Sequence, residues 1–306
     1  MIATPMDVLA HYQIRKTKKQ KTAFLAAAYR YAKQAGYTVR VEEGQLGCRN
    51  LVIGDAAKAK YLVTAHYDTC PWMPVPNFIT PCNLFVYVLY QIVLTALLVA
   101  VAMIPAWGLS LWIGETAFAG FTLVFLYAEL AFLLFGPANR HTANDNTSGV
   151  VTVLEILSTM PEHLKDRVAF VLFDLEESGL IGSATYCGRH KKQIQNQIVV
   201  NLDCVGDGNE IMMFPTGKLR KDADMMARFS RLEGRFGRKK ICLHKKGFAF
   251  CPSDQMCFPK AIGVMAFRRS KLLGIYCDKI HTRRDRVLEH TNVNLLRAAV
   301  ISLIGF

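Results

Sequence analysis

The stretch Phe170-Val171-Leu172-Phe173-Asp174-Leu175-Glu176-Glu177-Ser178-Gly179-Leu180-Ile181-Gly182-Ser183 decides how the chain is read. Val168 to Phe173 is a short apolar run, the pattern of a buried strand. Gly179 and Gly182 lead into a helical pattern, and between run and helix stand two adjacent carboxylates, Glu176 and Glu177. Open α/β sheets place their chemistry at the carboxyl ends of strands. Two neighbouring Glu side chains repel, so this placement calls for a compensating positive charge or an unusual proton affinity. A metal site supplies the first, with one Glu as ligand and the other as base. A solvated pair in a loop is the alternative, and the rest of the chain has to decide.

Working outward, Tyr61 to Ala65 and Ile198 to Leu202 are further compact apolar strands, and Ala261 to Phe267 is another. Tyr37 to Val41, Arg49 to Ile53 and Ile211 to Phe214 read as shorter strands. Helical patterns cover residues 6–35, the segment from Thr142 to about Thr159, the segment after the Glu pair to about Lys192, Lys218 to Phe236, and Asn292 to Phe306. Alternating strands and helices predict an α/β fold, a mixed, mostly parallel sheet with helices on both faces. Arg15, Lys16, Lys18, Lys19 and Lys21 make a basic run in the first helix, expected to be a solvated face, with contact to anionic lipid as the alternative.

The chain has 306 residues, 52% of them hydrophobic, and a net charge of +13. A basic balance can mean nucleic acid or an anionic membrane, but no zinc-finger spacing or RNA-binding signature accompanies it, so no nucleic-acid partner is expected. Nine cysteines, odd in number and irregular in spacing, with no C-x-x-C pair, fit reduced thiols in a cytosolic compartment.

The apolar excess is concentrated between residues 78 and 136. Leu84 to Ile104 and Thr116 to Phe135 are each about 20 residues long, enough to cross a bilayer core. Neither has a polar face. They predict a transmembrane hairpin (78–136, spans 84–104 and 116–135) inserted into one catalytic domain made of residues 1–77 and 137–306, with residues 1–36 as an N-terminal basic helix. Glu129 is the single acid in the second run and should face the partner helix or a headgroup region, with Gln91 as its candidate partner. The linker Pro105 to Glu115 carries no Lys or Arg, which puts it outside and the catalytic domain in the cytoplasm.

Collected just after predicted strands are His66 and Asp68, Asp145, Glu176 and Glu177, Asp203, and His281. Imidazole and carboxylate donors suit Zn2+, and also Mn2+ or Co2+. Asp68, two residues after His66, is placed to hold the other imidazole nitrogen. His66-Tyr67-Asp68, Asn144-Asp145-Asn146-x-Ser148-Gly149, Glu176-Glu177-x-Gly179-Leu180-x-Gly182-Ser183, Asn201-Leu202-Asp203 and His281-Thr282-x-x-Asp285 occur in the order seen in the M28 family of zinc aminopeptidases. Ser253-Asp254 resembles a further recurring segment of that family. The resemblance covers most of residues 37–306 outside the hairpin. It implies a zinc-exopeptidase (phosphorylase/hydrolase-like) fold, a peptide substrate and two Zn2+ per chain. His66 and Asp203 would then bind one metal, Glu177 and His281 the other, with Asp145 bridging, Glu176 as general base and Asp68 supporting His66.

The sequence departs from the family pattern in the inserted hairpin, in Ile280 where many relatives carry an aromatic before the final His, and in Arg283 and Arg284 after it. Tyr276 and Tyr186 are the candidates for an oxyanion donor, and Arg283 and Arg284 for binding a substrate carboxylate. Cys70 and Cys204, near ligands in sequence, are expected to be packing residues. The expected activity is a membrane-anchored dizinc aminopeptidase. A glutaminyl-cyclase-like M28 enzyme and an inactive membrane scaffold are the alternatives.

Overall fold

The computed structural model describes residues 2–306. Strands β1 (Val39–Glu43), β2 (Arg49–Ile53), β3 (Tyr61–His66), β4 (Val168–Phe173), β5 (Ile198–Leu202), β6 (Glu210–Pro215), β7 (Gly234–Phe236), β8 (Lys239–Leu243), β9 (Ala261–Ser270) and β10 (Gly274–Tyr276) form one sheet. Its order is β1-β2-β4-β3-β5-β9-β6-β8-β7, with β10 paired to β9. The central strands β4, β3, β5 and β9 run parallel, in a register that sets Ala65 beside Leu172 and Leu202 beside Val264. β1, β2, β6 and β7 make the antiparallel pairings at the flanks. Every residue of β3, β4 and β5 is buried. Both faces are covered, which is why these strands read as continuous apolar runs rather than as alternation.

Helices α1 (Asp7–His11), α2 (Lys18–Gln34), α5 (Gly149–Thr159) and α9 (His290–Gly305) lie on one face, where Phe24, Val63, Leu154, Phe170 and Leu303 share a core. α6 (Ile181–Arg189) covers the other, over Val52, Leu62, Val171, Phe173 and Val199. α3 (Leu84–Ile113) and α4 (Phe118–Phe135) form a hairpin between β3 and α5, and α7 (Gly217–Arg220) and α8 (Ala223–Ser230) connect β6 to β7.

Four expectations are corrected. Residues 6–35 are two helices, because Thr17 starts a new one: its side chain accepts from Gln20 N while the Gln20 side chain accepts from Thr17 N. The basic run is not a solvated face throughout. Arg15 is fully buried, and Lys21 is buried with Nζ 2.7 Å from Asp174 Oδ1, while Lys18 and Lys19 stay exposed. Lys218 to Phe236 is not one helix: Asp222 caps a separate α8 by accepting from Met225 N, and Gly237 at φ 62° turns the chain from β7 into β8. Finally, α3 does not stop at Ile104 but runs through Pro105 to Ile113, leaving Gly114 to Ala117 as the connection.

The hairpin stands out from the sheet. Its apolar windows are 0% buried, with Phe85 76%, Trp112 89% and Phe135 74% exposed, so these are not core helices. By length and composition both could cross a membrane. Ala102, Ala106 and Ser110 are the buried residues of α3, and their four-residue spacing makes a small-residue seam for close helix approach. Glu129 Oε2 is buried without a hydrogen bond among the described residues. Gln91 is not its partner. In a hairpin turning at Gly114, the residue level with Glu129 lies near Ala102, about 16 Å along the helix from Gln91.

Candidate metal centre

The carboxyl ends of β3, β4 and β5 deliver the polar residues to one place. His66 is the last residue of β3, Glu176 and Glu177 follow β4, and Asp203 follows β5. Asp145 lies in the turn that enters α5, with a cis Asp145–Asn146 peptide, and His281 in the loop after β10, at φ 63°. Asn144 and Asn146 fix the Asp145 turn against the end of β5. The Asn144 side-chain oxygen accepts from Gly206 N at 2.6 Å, and Asn146 Nδ2 donates to Leu202 O at 2.9 Å. Gly149 is required at this seam, because a Cβ there would strike the Leu202 carbonyl oxygen.

The geometry is that of one carboxylate between two imidazoles. Asp145 Oδ1 lies 3.4 Å from His66 Nε2, and its Oδ2 lies 3.0 Å from His281 Nε2. Each imidazole faces a second carboxylate: Asp203 Oδ1 is 3.5 Å from His66 Nε2, and Glu177 Oε2 is 3.3 Å from His281 Nε2. Glu176 Oε2 is 3.9 Å from His66 Nε2. Asp68 sits behind, with Oδ1 3.5 Å and its carbonyl oxygen 3.2 Å from His66 Nδ1. Its carboxylate also accepts from Glu176 N at 3.0 Å and Glu177 N at 3.2 Å, so one side chain orients both an imidazole and the Glu pair.

The electrostatics follow from this crowding of carboxylates. Burial pushes Glu177 up to about 8 and Glu176 well above its ordinary value. Against the pull of burial, the neighbouring Glu177 and Asp145 raise His281 to about 9. Asp145 moves the other way, because hydrogen bonds from His281 and His66 outweigh its burial. Glu177 Oε1 and Asp203 Oδ1 are buried with no hydrogen-bond partner among the described residues. Buried carboxylates in this density need a cation. The donor set of two imidazoles and several carboxylates fits a divalent transition metal, and zinc above all. The same side chains can be grouped as His66, Glu176 and Asp203, and as Cys70, Asp145, Glu177 and His281, each set with ligand atoms within 4.8 Å of one another. Cys70 is fully buried, and burial holds its thiol well above its ordinary pKa.

A sequence profile of Peptidase family M28 matches residues 127–302, more than half of the chain. The chain belongs to peptidase family M28. No curated protein matches it in sequence. Among solved structures it is similar to the LapA aminopeptidase of Legionella pneumophila, at 16% identity and TM-score 0.57, over 98% of this chain and 70% of that one. It is also similar to Porphyromonas gingivalis glutaminyl cyclase (15%, TM-score 0.58, 96% and 92%). A leucine aminopeptidase precursor from Bacteroides thetaiotaomicron (14%, TM-score 0.55, 95% and 90%) is a third. At these identities the likeness is one of fold.

His66, Asp145, Glu176, Glu177, Asp203 and His281 line a cavity of about 230 Å³ whose apolar wall includes Ile79, Pro252, Met265 and Ile280. The substrate-contact candidates fall elsewhere. Tyr276 stacks on Phe78 and does not line this cavity. Tyr186 is 1% exposed, packed against Phe173 and Phe258 beneath the sheet, which rules it out as an oxyanion donor. Arg284 pairs with Asp278, and Arg283 lies over the Trp72 ring, 4.6 Å from its centroid, outside the cavity. Two M28 residues had no role assigned from sequence. Asp285 accepts from Asn144 N at 2.7 Å and Asp145 N at 3.0 Å, tying the His281 loop to the Asp145 turn. Asp254 is fully buried behind Glu176, and burial raises it to about 7. Their motif spacing was visible, but the role of Asp285 depends on backbone contacts made across the fold.

Proposed function

We propose that this chain is a membrane-anchored metallopeptidase that binds two zinc ions and removes N-terminal residues from peptides. The observation that carries this reading is Asp145, with one carboxylate oxygen toward each imidazole and each imidazole facing a further carboxylate. His66 and Asp203 would hold one ion, Glu177 and His281 the other, with Asp145 shared. Such a metal pair supplies Lewis acidity to the peptide carbonyl and to the attacking water. Asp68 fixes the imidazole of His66 and the backbone of the Glu pair. Glu176 could also serve as a ligand with His66 and Asp203, but the M28 resemblance gives it the role of base: it takes the proton of the attacking water and passes it to the leaving amine. The apolar wall of Ile79, Met265 and Ile280 favours an apolar N-terminal side chain. The α3–α4 hairpin would cross the bilayer, with the catalytic domain on the cytoplasmic side.

The test is peptide hydrolysis by wild type and Glu176→Gln over a panel of aminoacyl and dipeptide substrates. The variant should keep its metal and lose activity by about 10³-fold. Unchanged hydrolysis would remove Glu176 from the mechanism. A glutaminyl-cyclase-like activity would instead give cyclised product and a single tightly held ion.

A further inference from the structure

A second cavity lies at the foot of the hairpin. It measures about 560 Å³, and its lining includes Trp72, Asn139, Arg140, His141 and Arg283. Pro137, also in its wall, is the second residue after α4. Its charged groups are all positive. Arg140, Arg283 and Arg286 are exposed, and none of the three has a carboxylate partner among the described residues. Arg286 Nη2 lies 3.1 Å from His141 Nε2. Arg286 can only donate, so His141 Nε2 is the acceptor, and burial and then the charges of Arg286, Arg140 and Arg283 lower the His141 pKa. Arg140 and Arg283 thus line one space without a carboxylate partner among the described residues, and Arg286 is held beside it through His141.

The same space adjoins the apolar helix. Arg283 lies over Trp72, and Trp72 meets Phe132 of α4 edge-on at 6.4 Å. A Trp beside unpaired Arg residues at the end of an apolar helix is the composition of a membrane interface. Phosphate oxygens suit guanidinium groups, and acyl chains suit the exposed side of Phe132 and Phe135. Inorganic phosphate would leave that apolar surface unused. The cavity is also joined to the metal centre: Met73 N donates to His281 O at 2.8 Å and Asn139 Nδ2 to Thr282 O at 2.9 Å.

We propose that this cavity binds the headgroup phosphate of an anionic phospholipid. The proposal rests on the membrane-anchored reading. The full-length protein in neutral detergent is titrated with short-chain phosphatidylglycerol, phosphatidylcholine or inorganic phosphate, and the bound species are read by native mass spectrometry. Wild type should retain phosphatidylglycerol in preference to both others, less so as salt is raised. Arg140→Gln combined with Arg283→Gln should weaken that binding by about tenfold or more, and Arg140→Lys with Arg283→Lys by much less. Equal retention of phosphatidylcholine, equal competition by inorganic phosphate or by a dipeptide, or a salt-insensitive signal would each overturn the proposal. Insertion into phosphatidylcholine vesicles separates the two readings. A wild type that does not insert sinks the anchor and the headgroup site together. One that inserts but shows no preference for phosphatidylglycerol sinks the headgroup site alone.

Discussion

At the ends of β3, β4 and β5 the chain buries carboxylates, and along α3 and α4 it exposes Phe85, Trp112 and Phe135. The two regions break the usual arrangement of polar outside and apolar inside in opposite senses. Each is unfavourable in water alone, and each becomes favourable once a particular environment is added. For the cleft, on the proposed reading, that environment would be a cation: Glu177 Oε1 and Asp203 Oδ1 have no hydrogen-bond partner among the described residues, and burial pushes Glu177 up to about 8. For the hairpin, on the proposed membrane-anchored reading, it would be hydrocarbon, since its apolar windows are 0% buried. The two are built differently as well. The cleft is locked by backbone hydrogen bonds to Asp68, Asn144 and Asp285, whereas the hairpin is held mainly by a seam of small residues.

The largest expected effect separates the regions physically. Replacing residues 78–136 by a short polar linker should convert a protein that needs detergent into one that sediments as a soluble species. Metal content should persist, because no proposed ligand lies in the deleted segment. Loss of metal in the soluble variant would show that the cleft depends on the hairpin.

The next concerns the cleft with its metal removed. Glu177 lies near 8 against an ordinary 4.5, and His281 near 9 against 6.5. The folded, metal-free protein therefore keeps protons that the unfolded chain has released. That contribution is complete below the unfolded values and is lost as pH rises through the folded ones. Asp145, shifted downward, acts only below about 3.8 and leaves this window alone. Thermal unfolding of chelated protein should show stability falling steadily from pH 5 toward 9, and metal should remove most of that slope. A flat profile without metal would mean that these carboxylates are better compensated than the geometry indicates.

The smallest effect lies between the regions. Lys21 and Asp174 form a buried pair beneath the Glu loop, and Asp174 also accepts from Arg49 N at 3.1 Å. Lys21→Met leaves a buried carboxylate uncompensated and should cost about 3 kcal/mol in chemical denaturation. Asp174→Asn made together with it should recover part of that loss, since the charge left behind is gone.

How much was legible follows from the same physics. β3, β4 and β5 were readable as uninterrupted apolar runs, since burial on both faces leaves no other choice of residue. β8 was not, because Lys239 is buried through its stem while Nζ reaches Gly208 O, a contact made only across the fold. The proposed ligands His66, Asp145, Glu177, Asp203 and His281 were readable as polar residues standing after strand ends or in motif order. Arg15 was unreadable. Its guanidinium donates to the carbonyls of Tyr67 and Tyr12 and to Thr147, and nothing in a basic run distinguishes it from its solvated neighbours. α3 ran past its expected end because a proline inside a helix removes one intrahelical hydrogen bond without having to end the helix.

The central claim is that Asp145 is shared between two metal ions. Metal content per chain, measured by elemental analysis on the detergent-purified protein and on Asp145→Ala, tests it most directly. The account predicts two zinc equivalents in wild type and loss of tight binding at both positions in the variant. One equivalent in wild type, or an Asp145→Ala protein that keeps its full metal complement, would contradict it.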